Sequence, residues 1–227
     1  MNFSLLLTHF NLLLTGAELT VIMTLGAIFI GLALGTALGM ARLSKSRAVR
    51  AFTGIYLQVF RGTPMLLQIC FLYFALPQIF GPGVWKISFL PGLPEAAFAG
   101  IVAMGLNSAA YIAEIIRAGI QGVDIGQTEA SRALGLSHNQ TMRLVVMPQA
   151  FRRVIPPLCN EFIVLLKDTS LASAIGAKEL MYQSRAMGAR YYEYFVFMIG
   201  AAAVYFALTF VLSVISGYIE RRLAVSD

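Results

Sequence analysis

The stretch that decides the fold is VIPPLCNEFIVLLKDTSLASAIGA, residues 154–177. It is apolar, yet Pro156 and Pro157 break it and Glu161, Lys167 and Asp168 charge it. The polar residues fall at helical spacing. Asn160 and Lys167 share one arc of a helix, as do Glu161 and Asp168, while Phe162 and Leu166 lie opposite. Such a helix faces lipid on one side and a wet, protein-lined passage on the other.

Four other stretches carry no charge at all: Leu19 to Ala41, Gly62 to Trp85, Ala96 to Ala113 and Tyr194 to Ile219. Each approaches the roughly 20 residues a helix needs to cross a bilayer. With the proline-containing segment the chain reads as an all-α membrane protein with five spans, approximately 17–41, 58–80, 96–117, 154–175 and 193–219. The basic residues set the orientation. Arg42, Lys45, Arg47 and Arg50 follow the first span, Arg132, Arg143, Arg152 and Arg153 precede the fourth, and Arg221 and Arg222 follow the fifth. Five spans put all of them on one side, the cytoplasm by the positive-inside rule. The N-terminus is then outside and the C-terminus inside. Four spans would put Arg221 and Arg222 outside.

Composition agrees. Of 227 residues 58% are hydrophobic and 12% charged, against about 25% charged in soluble domains. Too few charges remain to cover a soluble surface, which excludes a soluble enzyme, a nucleic-acid partner and a disordered tail. The excess of 17 Lys and Arg over 11 Asp and Glu belongs to the cytoplasmic links. Met1 to Leu14 lacks the basic start and cleavage site of a signal peptide and reads as an interfacial lead-in. Cys70 and Cys159 form no CxxC pair, and with only His9 and His138 the sequence offers no metal cluster.

Gly31, Gly35 and Gly39 form a side-chain-free ridge for close helix packing, within the chain or in a dimer. In FRGTP, residues 60–64, Thr63 suits a helix cap and Pro64 the first helical position. Arg61 then either sits near the headgroups or takes a gating or coupling role. The link 121–152 is too rich in helix formers to be a loop. Asp124 or Thr128 caps a first short helix, Gly135 breaks it, and Ser137 caps a second helix that ends at Pro148. Ala130, Ala133 and Leu134 make a small apolar face beside Glu129 and Arg132. That face either lies on the membrane or meets a partner.

Glu129, Ala130, Ser131, Gly135, Val145, Met147 and Pro148 resemble the EAA signature of ABC importer membrane subunits. FRGTP, AAYIAEIIRAGI (109–120), GQTEASRALGLS (126–137), MPQAFRRVIPPLCNEFIVLLKDTSL (147–171) and IERRL (219–223) are similar to the permeases of polar amino-acid ABC importers, the histidine, glutamine and arginine type. Ser131 departs from the signature's second alanine, and the outer stretch 81–95 has no counterpart to which a role attaches.

The resemblance implies a type I importer permease in a bacterial cytoplasmic (inner) membrane. It implies a second permease, either a copy or a homologue, a cytoplasmic ABC ATPase dimer, and an extracytoplasmic binding protein that delivers a polar amino acid. Glu129, Ala130, Ser131, Arg132, Ala133 and Gly135 would then form the coupling segment seated on the ATPase. The chain contains no Gly-Lys pair and hence no phosphate-binding loop of the Walker kind. It is therefore expected to be no enzyme and to bind no cofactor, with ATP and Mg used by the partner subunits.

Within the spans, ionisable residues are functional candidates because inserting them costs a few kcal/mol. Lys167 suits a substrate carboxylate, and Glu161 or Asp168 an ammonium, with Asn160, Thr169 and Ser170 beside them. The competing reading is mutual pairing, with Lys167 meeting Asp168, Glu161 or the Glu114 to Arg117 group of the third span. The alternative function is a stand-alone gradient-driven carrier or channel, with Glu114, Glu161 and Asp168 as ion sites.

Overall fold

The computed structural model describes residues 2–86 and 92–224, and among these every regular element is helical. In chain order they are α1 (Phe3–Thr8), α2 (Phe10–Arg42), α3 (Arg47–Gly62), α4 (Met65–Phe80), α5 (Glu95–Gln121), α6 (Ile125–Ala133), α7 (His138–Thr141), α8 (Met147–Asp168), α9 (Leu180–Tyr191) and α10 (Tyr194–Ala224). A π-helical turn, Met142–Val146, joins α7 to α8, and a 3-10 helix, Thr169–Ile175, extends α8. Among the described residues three helices are long and apolar enough to cross a membrane: Phe10–Arg42, Glu95–Gln121 and Tyr194–Leu223. Together α3 and α4 make a fourth if they form one bent span; α8, which holds the span expected at 154–175, is not among them. The N-terminal lead-in is shorter than its sequence implies, because α2 starts at Phe10.

α5 is the hub. Small residues dominate its first two thirds, so α2, α3, α4 and α8 all pack on it. The α2–α5 contact is made by the glycine ridge. A Cβ added at Gly35 would lie 2.8 Å from Ile112 Cβ and 2.9 Å from the Ala109 carbonyl oxygen; at Gly39 it would lie 3.0 Å from the Ala113 oxygen. The ridge thus serves packing within this chain. Gly35→Ala should cost about 1–3 kcal/mol through overpacking, read as a lower unfolding temperature of the detergent-solubilised protein, whereas Gly62→Ala, which meets nothing within 4 Å, should not.

The segment expected as one span at 58–80 is two helices, α3 and α4, bent by 102°. The cause is local. Pro64 cannot donate a backbone hydrogen bond, and it forces Thr63 into an extended conformation, φ −121° and ψ 148°. Thr63 accordingly ends α3, and Pro64 itself occupies the position before α4. Buried side chains take up the carbonyls the break leaves open. Gln68 Nε2 lies 2.9 Å from the Phe60 oxygen and 2.7 Å from Thr63 Oγ1, and Asn107 Nδ2 of α5 donates to the same Phe60 oxygen at 3.0 Å and to Gln68 Oε1 at 2.9 Å.

The helix expected to end at Pro148 instead runs on into α8. A proline ring crowds the carbonyl four residues back. The π turn relieves this by letting the Met147 N–H reach the carbonyl of Met142. Within α8, Pro156 and Pro157 are carried without ending the helix. In the outer stretch 81–95, Trp85 is buried edge-on to Phe98 of α5, ring centroids 5.9 Å apart. Residues 87–91 of that stretch lie outside the described residues.

Glu179, just before α9, is fully buried. It caps α9 by accepting from the N–H groups of Met181 and Tyr182 at 2.8 and 2.7 Å, and it also accepts from Tyr205 Oη of α10 at 2.8 Å. Tyr205→Phe removes one of these donors and should destabilise the α9–α10 pair by about 1–3 kcal/mol, measured by thermal unfolding.

Candidate functional site

A polar cavity of about 360 Å³ opens where the α3–α4 break meets α5 and α8, lined by Thr63, Asn107, Tyr111, Asn160, Glu161 and Asp168 with Met65 and Val164. The spacing that puts Glu161 and Asp168 on one arc of α8 brings both carboxylates to this cavity. Glu161 Oε1 accepts from Ser108 Oγ of α5 at 2.8 Å. Among the described residues no cation lies within ion-pairing distance of Glu161 or Asp168. Lys167 is exposed and does not line the cavity. Thr169 is buried with its Oγ1 donating to the Leu166 carbonyl at 2.7 Å, and Ser170 is half-buried; neither reaches the lining. The opposite face of α8 carries Phe162 in an apolar groove of about 280 Å³ against α2 and α10.

Mutual pairing of charges occurs elsewhere. Glu114 accepts from Arg117 Nη2 and Nε at 2.7 and 3.1 Å, and Arg42 Nε lies 3.9 Å away. Arg117 also donates to Gln121. Arg61 sits with its guanidinium carbon 5.5 Å from the centre of the Tyr111 ring. Sequence reasoning missed Ser108, Asn107, Gln68 and Tyr111, whose only signal was polarity inside charge-free stretches.

The segment 121–152, expected to meet an ATPase, follows directly from α5. Asp124, the first of the two candidate caps, accepts from the Gly126 N–H at 2.7 Å, and Thr128 lies inside α6. Gly135 adopts φ +86°. Its N–H donates to the Arg132 carbonyl at 3.0 Å, and the Leu136 N–H donates to the Ser131 carbonyl at 3.2 Å. These two bonds form the left-handed helix ending that glycine accommodates best. Ser137 caps α7 in a reciprocal pair with Gln140. Glu129, Ala130, Arg132 and Ala133 are exposed, as are Ile125 (71%) and Leu134 (84%). Ala130, Ala133 and Leu134 thus stand exposed on one arc of the segment, while Ile125 is exposed on another side of α6.

Ser131 is buried. Its hydroxyl lies 2.9 Å from the Thr128 carbonyl oxygen and 3.1 Å from Thr141 Oγ1, so it ties α6 to α7. Ser131→Ala should lower thermal stability by about 1 kcal/mol, the net worth of one hydrogen bond, and Thr141→Val should do the same without adding to it.

Over residues 11–225 the sequence matches the family described as binding-protein-dependent transport system inner membrane component. The chain belongs to that family. Among curated relatives of this inner membrane component, an arginine transport system permease, ArtQ of Bacillus subtilis, is 35% identical over 227 residues, covering 100% of this chain and 99% of that one. A putative glutamine transport system permease, GlnP of Rickettsia bellii, is 37% identical over 211 residues, 93% of this chain and 92% of that one. An L-cystine transport system permease, TcyB of Bacillus subtilis, is 39% identical over 209 residues, 92% and 85% of the two chains. A crystal structure of an amino acid ABC transporter with histidines matches with a TM-score of 0.89 at 38% identity, covering 98% of this chain and 99% of that one. The MetNI methionine ABC transporter, inward facing, matches in fold with a TM-score of 0.75 at 22% identity, covering 95% and 98% of the two chains.

Proposed function

We propose that this chain is the transmembrane subunit of an ATP-driven importer that carries a polar amino acid across a bacterial cytoplasmic membrane. The observation that carries the reading is α6, a short helix held rigidly by its Asp124 cap, its Gly135 ending and the Ser131–Thr141 bond. It exposes Leu134, with Ala130 and Ala133 on the same arc, and these have no covering partner among the described residues. An apolar, preorganised face of that kind suits a groove on another protein.

The partner is a pair of cytoplasmic ATPases, and this chain itself is not an enzyme. ATP-driven closure of the ATPases draws two coupling helices together, one from this chain and one from a second permease, and turns the spans outward-open; hydrolysis releases them. Five spans serve this arrangement, counting α3 with α4 as one and α8 as the fourth, with the N-terminus outside. A binding protein outside delivers the cargo. Glu161 and Asp168 meet its ammonium or cationic side chain, and Asn160 and Asn107 its polar groups. Relatives named for arginine, glutamine and cystine support an amino acid as cargo.

A stand-alone carrier would leave α6 without use. The test is a pull-down from solubilised membranes. The wild-type chain should recover an ABC ATPase, and replacing residues 129–135 should lose it; equal recovery by both would overturn the reading.

A further inference from the structure

A second cavity, about 840 Å³, lies immediately beside the first, lined by Arg42, Arg50, Gln58, Arg61, Tyr111 and Glu114 among others. Tyr111 lines both cavities. Along α5 the order is Asn107 at the first cavity, Tyr111 between, Glu114 at the second, then Gln121 and the link into α6. The second cavity therefore lies toward the coupling segment. Asn107 of the first lining and Glu114 of the second are separated by about 10 Å of helix rise.

The arginines of this cavity are not equivalent. Arg42 Nη1 donates to the Arg50 carbonyl at 3.1 Å, and Arg50 Nη1 donates to the carbonyls of Ser44 and Lys45 at 2.7 and 3.0 Å. Both thereby hold the α2–α3 link. Glu114 is engaged by Arg117 at 2.7 Å. Arg61 has the Tyr111 ring as its contact, so its hydrogen-bonding fork is open to a carboxylate.

We propose that Tyr111 is the partition between the cargo cavity and a coupling-side exit cavity, and that Arg61 receives the amino acid's carboxylate when the ring swings aside. The inference rests on the importer reading. The Asn107 and Gln68 bonds to the break make it mechanical. Asn107, one turn before Tyr111, is tied to the carbonyl of Phe60, the residue before Arg61, so the intact break holds the ring against Arg61 and a change in the α3–α4 angle that breaks this bond lets the two part.

The test uses the complete complex, with its ATPases and binding protein, in proteoliposomes. The probe is whichever of labelled glutamine, arginine and cystine the wild type takes up. Tyr111→Ala should release preloaded amino acid without ATP about tenfold faster than wild type, and Tyr111→Phe, which keeps the ring, should not leak. Arg61→Gln should lower the maximal rate of ATP-driven uptake about tenfold while leaving KM near the wild-type value, and Arg61→Lys should recover much of the loss. A tight Tyr111→Ala variant, or Arg61→Gln transporting at the wild-type rate, overturns the inference and leaves the importer reading standing. A wild-type complex that takes up none of the three, nor any other polar amino acid, overturns both.

Discussion

Replacing Gly135 with valine should reduce ATP-driven uptake by at least about tenfold while leaving the chain inserted in the membrane at its normal level. The reason is the backbone and not space, since a Cβ at this position would meet nothing within 4 Å. The residue sits at φ +86°. A left-handed conformation costs an L-residue roughly 1–2 kcal/mol, and branching at Cβ makes it worse. Valine therefore moves Gly135 into an ordinary region, breaking the bonds from Gly135 and Leu136 to the carbonyls of Arg132 and Ser131. That changes the angle between α6 and the α7–α8 rod, so ATPase motion reaches α8 in the wrong direction. Gly135→Asn, which tolerates the left-handed region, should keep most of the uptake. The measurement is labelled amino-acid uptake beside immunoblotting of the membrane fraction, and full uptake by the valine variant would contradict the account.

The second large effect is at the polar cavity between α5 and α8, proposed to take the cargo. Glu161→Gln keeps an acceptor for Ser108 Oγ, which lies 2.8 Å from the carboxylate, but removes the charge. A hydrogen bond to a charged group contributes about 1.5–3 kcal/mol. Uptake kcat/KM in vesicles should accordingly fall about ten- to a hundredfold, with thermal stability little changed. Asp168→Asn should act in the same direction and compound the loss in the double variant. Unchanged kinetics in both single variants would reduce the two carboxylates to structural residues.

These two sites are linked through α8. Its N-terminal end continues back through the π turn to α7 and the Ser131–Thr141 bond, while its C-terminal half carries Glu161 and Asp168. On the proposed function, a displacement of α6 would reach the polar cavity along this contiguous α7–α8 segment. Transmission of this kind needs two discrete arrangements of a rigid element and no chain of soft contacts.

The legible part of the site was the charged part. Glu161 and Asp168 announced themselves because carboxylates in apolar helices are costly, and their spacing placed them on one arc. Lys167 carried the same signal but is exposed and does not line the cavity, although Asn160 on its arc does. Ser131 read as a tolerable departure from a motif, whereas its hydroxyl bonds Thr141. Proline 64 was legible as a boundary, but its reading as a plain helix start missed that the preceding residues are helical as well and that the chain turns by 102°.

The sequence by itself determined the membrane class, the long apolar helices α2, α5 and α10 and the family, because each follows from local or summed properties: scarcity of charge, hydrophobic run length, and motif order. Tertiary structure alone decided which polar groups meet. Ser108 reaches Glu161, Asn107 reaches the Phe60 carbonyl, and Tyr205 reaches Glu179. The physical reason is that a serine or asparagine is nearly neutral in helix propensity and hydropathy sums. Its worth appears only when packing brings a partner from a distant part of the chain within hydrogen-bonding distance and excludes the water that would otherwise compete.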